Sequence, residues 1–324
     1  MQHSIALVTG ATSGLGYAAA RALAEEGWGE IILTGRSLAR AQETATRLAA
    51  ETKSQIFTPL ELDLDTPSSV QSALAQIVKR GRLVNFLLLN AGWIGGRKRM
   101  LTATGVETTQ APLIGHHQLT AGLLHAKLLS SDARIIIAGS EAARGDIPMF
   151  GYTDVAALAA KHHQGDRTAA VKALLCSGPN VKYEPNRAHS DAKLIVAWWA
   201  AVLARRLPPG MAVYAVSPGS TPDTMGLRNA GLALKWLMVP LMKLIPGMSQ
   251  TPEIAVRRYL QALAFGADVS GQFFASAPKK VTGPMEAMRQ PHFHDRENQD
   301  AAWQAIGEVS GVVWSDPASL GVVF

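Results

Sequence analysis

The sequence predicts an α/β fold, a doubly wound parallel sheet of about seven strands with helices on both faces. Two patterns predict it. Short apolar, β-branched runs alternate with longer amphipathic stretches from the first residues onward. Those runs are apolar on both faces, the mark of strands covered from each side. A third observation sets the scale: 324 residues, 48% hydrophobic and 17% charged, hold one large or two small domains with ample material for a core.

Taken in order, strands are expected at 5–9, 30–34, 55–60, 83–90, 134–138, 211–217 and 271–275. Helical periodicity fills the gaps at 15–26, 39–51, 68–80, 105–129, 189–207 and 252–265. A sheet of this kind takes its ligands beyond the carboxyl ends of its strands. Two segments fall outside the alternation: an insertion over 144–187 and a C-terminal extension over 278–324. No repeat, low-complexity tract or Pro/Gly linker divides residues 1–277, so they are read as one domain.

Composition excludes several classes. The formal net charge of +6 is spread among short clusters such as Arg97-Lys98-Arg99 and Lys279-Lys280, without the dense basic stripe that nucleic acid demands. The N-terminal residues lack the charged start and longer apolar run of a signal peptide. No uninterrupted apolar run is long enough to span a bilayer, and the nearest approach, 230–248, is broken by Lys235, Pro240, Lys243 and Pro246. The single cysteine, Cys176, cannot make an intrachain disulfide or a thiolate zinc site, so a cytoplasmic address is expected. His116-His117, His162-His163 and His292-x-His294 have no carboxylates or cysteines at ligand spacing, and no metal is expected.

The most specific local signal follows the first strand, which ends in Thr9-Gly10-Ala11-Thr12-Ser13-Gly14-Leu15-Gly16 and runs straight into a helix. Glycines 10, 14 and 16 allow a tight turn and let backbone N–H groups approach a pyrophosphate at the helix N-terminus. After the second strand, Arg36 in Thr34-Gly35-Arg36-Ser37 offers a planar fork for a 2′-phosphate, where an acid would repel one.

The Gly-x-x-x-Gly-x-Gly spacing resembles the short-chain dehydrogenase/reductase family, which implies the Rossmann form of the doubly wound sheet and a dinucleotide cofactor, NADP in view of Arg36. The likeness continues over about 4–276. Asp63-Leu64 is similar to the family's adenine-contacting pair, and Asn90-Ala91-Gly92 to its motif beside the adenosine ribose. Pro218-Gly219 resembles the turn bordering the nicotinamide, and Thr221 follows it. Ser140, at the end of the fifth predicted strand, stands where the family's substrate-orienting serine belongs.

The family's Tyr-x-x-x-Lys helix here reads His189-Ser190-Asp191-Ala192-Lys193. Lys193 matches the lysine that binds the cofactor ribose, and His189 occupies the position of the proton-exchanging tyrosine. Four residues apart on a helix, the two share a face. Their chemistry differs from the usual pair. A phenol titrates near about 10 and an imidazole near about 6.5, and a neighbouring lysine cation and oxidised nicotinamide disfavour the charged imidazole. A second departure resembles the retinol-dehydrogenase-like members, where an Asn precedes a Gly-His pair. In register with Gly115-His116, that Asn falls at Pro112, or at Leu113 after a one-residue slip. Tyr152 and Tyr183 are the other tyrosines near enough in sequence to serve.

The resemblance therefore implies an NADP-dependent oxidoreductase with Ser140, His189 and Lys193 at the active-site positions. A cofactor-binding protein without turnover, or a lyase or isomerase with His189 as base, stands beside it. Trp93, Ile94, Met149, Phe150 and the apolar segment 220–248 imply a pocket and lid for a bulky apolar alcohol or ketone. A homo-oligomer is the expected assembly, with no membrane partner.

Overall fold

The computed structural model describes residues 4–93, 95–222, 245, 247–312 and 314. Its eight strands are β1 (Ile5–Val8), β2 (Glu30–Gly35), β3 (Phe57–Glu61), β4 (Val84–Leu89), β5 (Leu129–Ala138), β6 (Ala212–Val216), β7 (Phe273–Ser276) and β8 (Met285–Ala287). They form one sheet in the order β3-β2-β1-β4-β5-β6-β7-β8. Every pairing is parallel except β7 with β8. Chain order reverses between β1 and β4, which opens a crevice at their carboxyl ends.

The strands alternate between two cores. Ile5 and Leu7 of β1 join one buried cluster, while Ala6 and Val8 join the other. One face is covered by α1 (Gly14–Glu25), α2 (Leu38–Thr52) and α8 (Pro252–Leu263). The other carries α3 (Pro67–Arg80), α4 (Ala111–His125), α7 (Pro185–Ala204) and α9 (Arg296–Ser310). Burial on both sides explains the continuous apolar runs read from the sequence.

Three stretches differ from the sequence expectation. The helix expected over 105–129 is shorter, and β5 begins at Leu129 rather than 134. Leu129 pairs with Val84, and the register then jumps to Phe86 opposite Arg134. The polar bulge residues Ser130–Asp132 hid the strand's first half. The insertion holds two helices, α5 (Val155–His162) and α6 (Arg167–Leu175). Asp154 and Asp166 cap them by accepting from Ala157 N and Ala169 N, each at 3.0 Å. Residues after 277 supply the eighth strand and α9, which packs on α4, α6 and α7. Arg167 reaches Asp295 at 3.1 Å and Asn298 at 2.9 Å across that contact.

At the carboxyl ends of β5, β6 and β7, a buried ion pair closes the sheet. Glu141 accepts from Arg258 at 3.0 Å, from Ser276 Oγ at 2.9 Å, and from Ser217 Oγ. Arg258 also donates to Ser217 O at 2.9 Å and Gly283 O at 2.7 Å. Removing one partner strands the other charge in the interior, which costs about 3–5 kcal/mol. Glu141→Ala and Arg258→Ala should each lower urea-unfolding stability by about that amount, whereas Arg21→Ala, which removes an exposed i,i+4 pair, should cost less than about 1 kcal/mol. Equal losses at the two places would refute the assignment.

Candidate active site

The turn after β1 is built around two glycines. Gly10 has φ +64, open to glycine without strain, and a Cβ at Gly16 would fall on the Gly10 carbonyl oxygen. Close behind the turn, Asn90 Nδ2 donates to Thr9 O at 3.1 Å and Ala91 N donates to Thr9 Oγ1 at 3.0 Å. The ends of β1 and β4 are thereby fastened together at the crevice. Thr12, Ser13, Gly14 and Leu15 are half-buried along its lip, with Ser13 as the N-cap residue of α1.

Arg36 stands exposed just past β2. It lies close enough to Asp65 for its charge to oppose the upward push that burial and Asp63 give that carboxyl. Asp63 is held in the loop after β3, donating its N–H to Ser69 Oγ at 2.9 Å and accepting from Asp65 N at 3.3 Å. Leu64 presses against Gly115 of α4. At the other end of the crevice, Pro218 is buried, and Gly219 donates its N–H to Ser217 Oγ at 3.2 Å. Thr221 is half-buried beside them. These segments line the carboxyl edge in the order a dinucleotide laid across the switch point would meet them. The glycine turn, whose Gly16 leaves no room for a Cβ, and the exposed Arg36 fit such a group.

Ser140 ends β5 and caps a short 3₁₀ turn, Glu141–Arg144, by accepting from Ala142 N at 3.2 Å. His189 Nε2 lies 3.3 Å from Ser140 Oγ, and the Phe150 ring meets the imidazole edge-on at 6.2 Å between centroids. One turn along α7, Lys193 Nζ donates to Ala138 O at 2.7 Å and sits beside Gly92. The three residues singled out as catalytic candidates are thus brought together, next to the Asn90-Ala91-Gly92 segment.

Burial governs the electrostatics here. It pushes the Lys193 ammonium down to about 8. Burial first, and then the Lys193 charge, push both the His189 and His116 imidazoles down to about 3. Near neutrality the cluster holds one cation and two uncharged rings. Among the described residues, His189 Nδ1 is buried without a hydrogen-bond partner. A proton there would be an orphaned buried donor, so the favoured tautomer carries it on Nε2, facing Ser140.

Neither alternative tyrosine enters this cluster. Tyr152 stacks on His292 at 4.6 Å, and Tyr183 donates its hydroxyl to Gly96 O at 2.8 Å. Pro112 and Leu113 line a cavity of about 20 Å³ shared with Trp93, Thr109, His116 and Lys193. Met149 is 77% exposed on a turn with φ +69, next to Phe150. Ile94 and most of the expected lid, 223–244 and 246, lie outside the described residues. Among the described residues no His/Cys/Asp/Glu cluster could hold a metal ion, and no helix is long and apolar enough to cross a membrane. Sequence reasoning missed two supports of the site, the Glu141–Arg258 pair behind Ser140 and the contact of His116 Nε2 with Thr9 Oγ1 at 2.9 Å.

Comparisons with known proteins agree with this architecture. The short chain dehydrogenase family model matches residues 4–163. Oxidoreductase fscI of Fusarium equiseti is 31% identical over 223 residues, 66% of this chain and 85% of that protein. Human retinol dehydrogenase 13 is 27% identical, covering 86% of this chain and 78% of its own length. The chain spans about half the length of the WW domain-containing oxidoreductase of Drosophila melanogaster, at 32% identity over 69% of this chain. In fold, a short chain dehydrogenase from Burkholderia cenocepacia J2315, solved with NADP, superposes with a TM-score of 0.60 at 21% identity over 84% of this chain and 95% of that one. A chain with this sheet, this glycine turn and these relatives belongs to the short-chain dehydrogenase/reductase family of oxidoreductases.

Proposed function

We propose that this oxidoreductase uses NADP to interconvert an apolar alcohol and its ketone or aldehyde, with proton exchange at Ser140 and His189 as its slow step. The observation that carries the reading is the meeting of Ser140, His189 and Lys193 at the carboxyl end of β5, with only β4 between that strand and β1, which leads into the glycine turn. Bound nicotinamide supplies or accepts the hydride. The chain's own residues hold the substrate oxygen and move its proton.

Ser140 Oγ and His189 Nε2 converge on one place, where a carbonyl oxygen can accept from both. Lys193 would hold the cofactor ribose, a role supported by its position on the same face of α7 and beside Gly92. Arg36 supports the choice of NADP, since its guanidinium stands exposed just past β2, where a planar fork can grip a 2′-phosphate and an acid would repel one.

In the reducing direction the oxygen gains a proton as hydride reaches carbon. A neutral imidazole donates a hydrogen bond well but yields its proton poorly. In the oxidising direction His189 must accept a proton in a setting that disfavours its cation. Both directions are slowed by the same burial. That observation also favours a second reading, a cofactor-binding protein with little turnover. The exposed Met149 and the Phe150 ring support an apolar substrate. The lone free cysteine supports the cytoplasmic expectation. α9 covers α4 and α7, so a homo-oligomer would assemble through other faces.

Assayed with NADPH and a panel of apolar ketones and aldehydes, the chain should turn over slowly, and His189→Tyr should raise the rate at least about a hundredfold, within the range of a positioned acid–base group. No activity in either would sink the oxidoreductase reading. Arg36→Asp should weaken NADPH binding by about tenfold or more while sparing NADH, read by titration of cofactor fluorescence. An unchanged NADPH preference would refute the role of Arg36. Because Lys193 loses its proton above about 8, the His189→Tyr rate should fall as pH rises through that value. In the parent chain no inflection should appear near the usual imidazole pKa of about 6.5, since His189 is already neutral well below it.

A further inference from the structure

The buried histidine pair on α4 takes no part in the proton exchange proposed above. Its two members face different partners. His117 Nδ1 accepts from Trp199 Nε1 at 3.1 Å, and its Nε2 donates to Val312 O at 3.1 Å, with Trp314 stacked on the ring at 5.6 Å. That ring fastens the C-terminal residues to α4. His116, 2% exposed, turns the other way, to Thr9 at the root of the glycine turn.

Thr9 Oγ1 is fully occupied. It meets His116 Nε2 at 2.9 Å, accepts from Ala91 N at 3.0 Å and lies 3.3 Å from Leu88 O. A hydroxyl has one proton and two acceptor sites. If the hydroxyl donates to Leu88 O, His116 donates to it and every site is filled; if His116 accepts, the hydroxyl's one proton goes to the imidazole. In both arrangements His116 and Ala91 N hold Oγ1 from two sides, and Gly10 begins the turn at the next residue. α4 itself cannot shift, because nearly every residue from Ala111 to Leu124 is buried and Gly115 lies against Leu64 of the expected adenine-side loop.

We infer that His116 is a positioning residue of the cofactor site: through Thr9 it fixes the glycine turn and the Ala91 segment at the spacing that a dinucleotide phosphate and ribose require. The inference rests on the NADP reading, and it adds a residue that touches no cofactor atom. A leucine at 116 would preserve packing but leave one site of a buried hydroxyl unmet, and a glutamine could reach Thr9 with an amide able to donate or accept.

The test measures NADPH dissociation constants by fluorescence titration on the full chain, with thermal unfolding followed in parallel. His116→Leu and Thr9→Val should each weaken NADPH by about tenfold, a change of about 1.4 kcal/mol. The double variant should be no weaker than the weaker single, because both changes break one link. His116→Gln should recover affinity to within about threefold of the parent. Should His116→Leu fail to fold, His116→Asn, whose shorter amide falls short of Thr9, takes its place with the same expected readings. Affinity equal to the parent in the Leu or Asn variant, losses that multiply in the double, or no recovery with Gln would each overturn the inference. A parent chain that binds no NADPH would bring down the cofactor reading and this inference together; parental binding that the variants share would bring down the inference alone.

Discussion

Glu141 and Arg258 meet at 3.0 Å with both side chains only 6% exposed, and between them they gather Ser217, Ser276 and Gly283. Taking two charges out of water is expensive, and such a pair persists only where further hydrogen bonds satisfy what remains of each group. Here those bonds come from the carboxyl ends of β6 and β7 and from the loop before β8. The pair therefore joins segments far apart in the chain at the edge where the site is built. Ser140 immediately precedes Glu141 and caps the same short turn, so its position follows from where the carboxylate is held. Arg144, at the end of that turn, adds bonds to Ser276 O, Ala277 O at 3.1 Å and Lys280 O at 2.7 Å. The rigidity of the site's floor is electrostatic in origin, though apolar burial provides the setting.

The site's chemistry is limited by the same dryness that orders it. Desolvation keeps His189 uncharged, and the ammonium of Lys193 opposes any cation beside it. A phenol in this place would benefit from that ammonium, because its reacting form is an anion. An imidazole does not benefit, because its charged form is a cation. Geometry is preserved through the shared helix face while the sign of the electrostatic help is reversed. On the proposed reading, the site would bind a substrate oxygen without a ready acid beside it.

Much of the fold was legible in the sequence, for a local reason. Strands buried on both faces write continuous apolar runs, and the turn after β1 needs glycines wherever backbone must approach backbone. The strands read at 5–9 and 30–34 lie within a residue of their observed bounds at each end. Legibility failed where the cue was not periodic. The first half of β5 is masked by a polar bulge, β8 has only three residues, too few to show a period, and the insertion helices announce themselves only through Asp154 and Asp166 as caps. In the candidate site, Ser140, His189 and Lys193 were named through the family resemblance, whereas Arg258 and His116 were not, since their partners lie 117 and 107 residues away.

By itself the sequence determined the fold class and the glycine turn, which follow from side-chain periodicity and from steric rules that act over a few residues; its resemblance to the family named Ser140, His189 and Lys193 as candidates. Only the tertiary structure decided the ionisation of His189, the support of Thr9 by His116, and the covering of α4 by a C-terminal helix. A pKa or an orphaned hydrogen bond depends on how much water and which partners surround a group, and that environment exists only once distant segments have packed together.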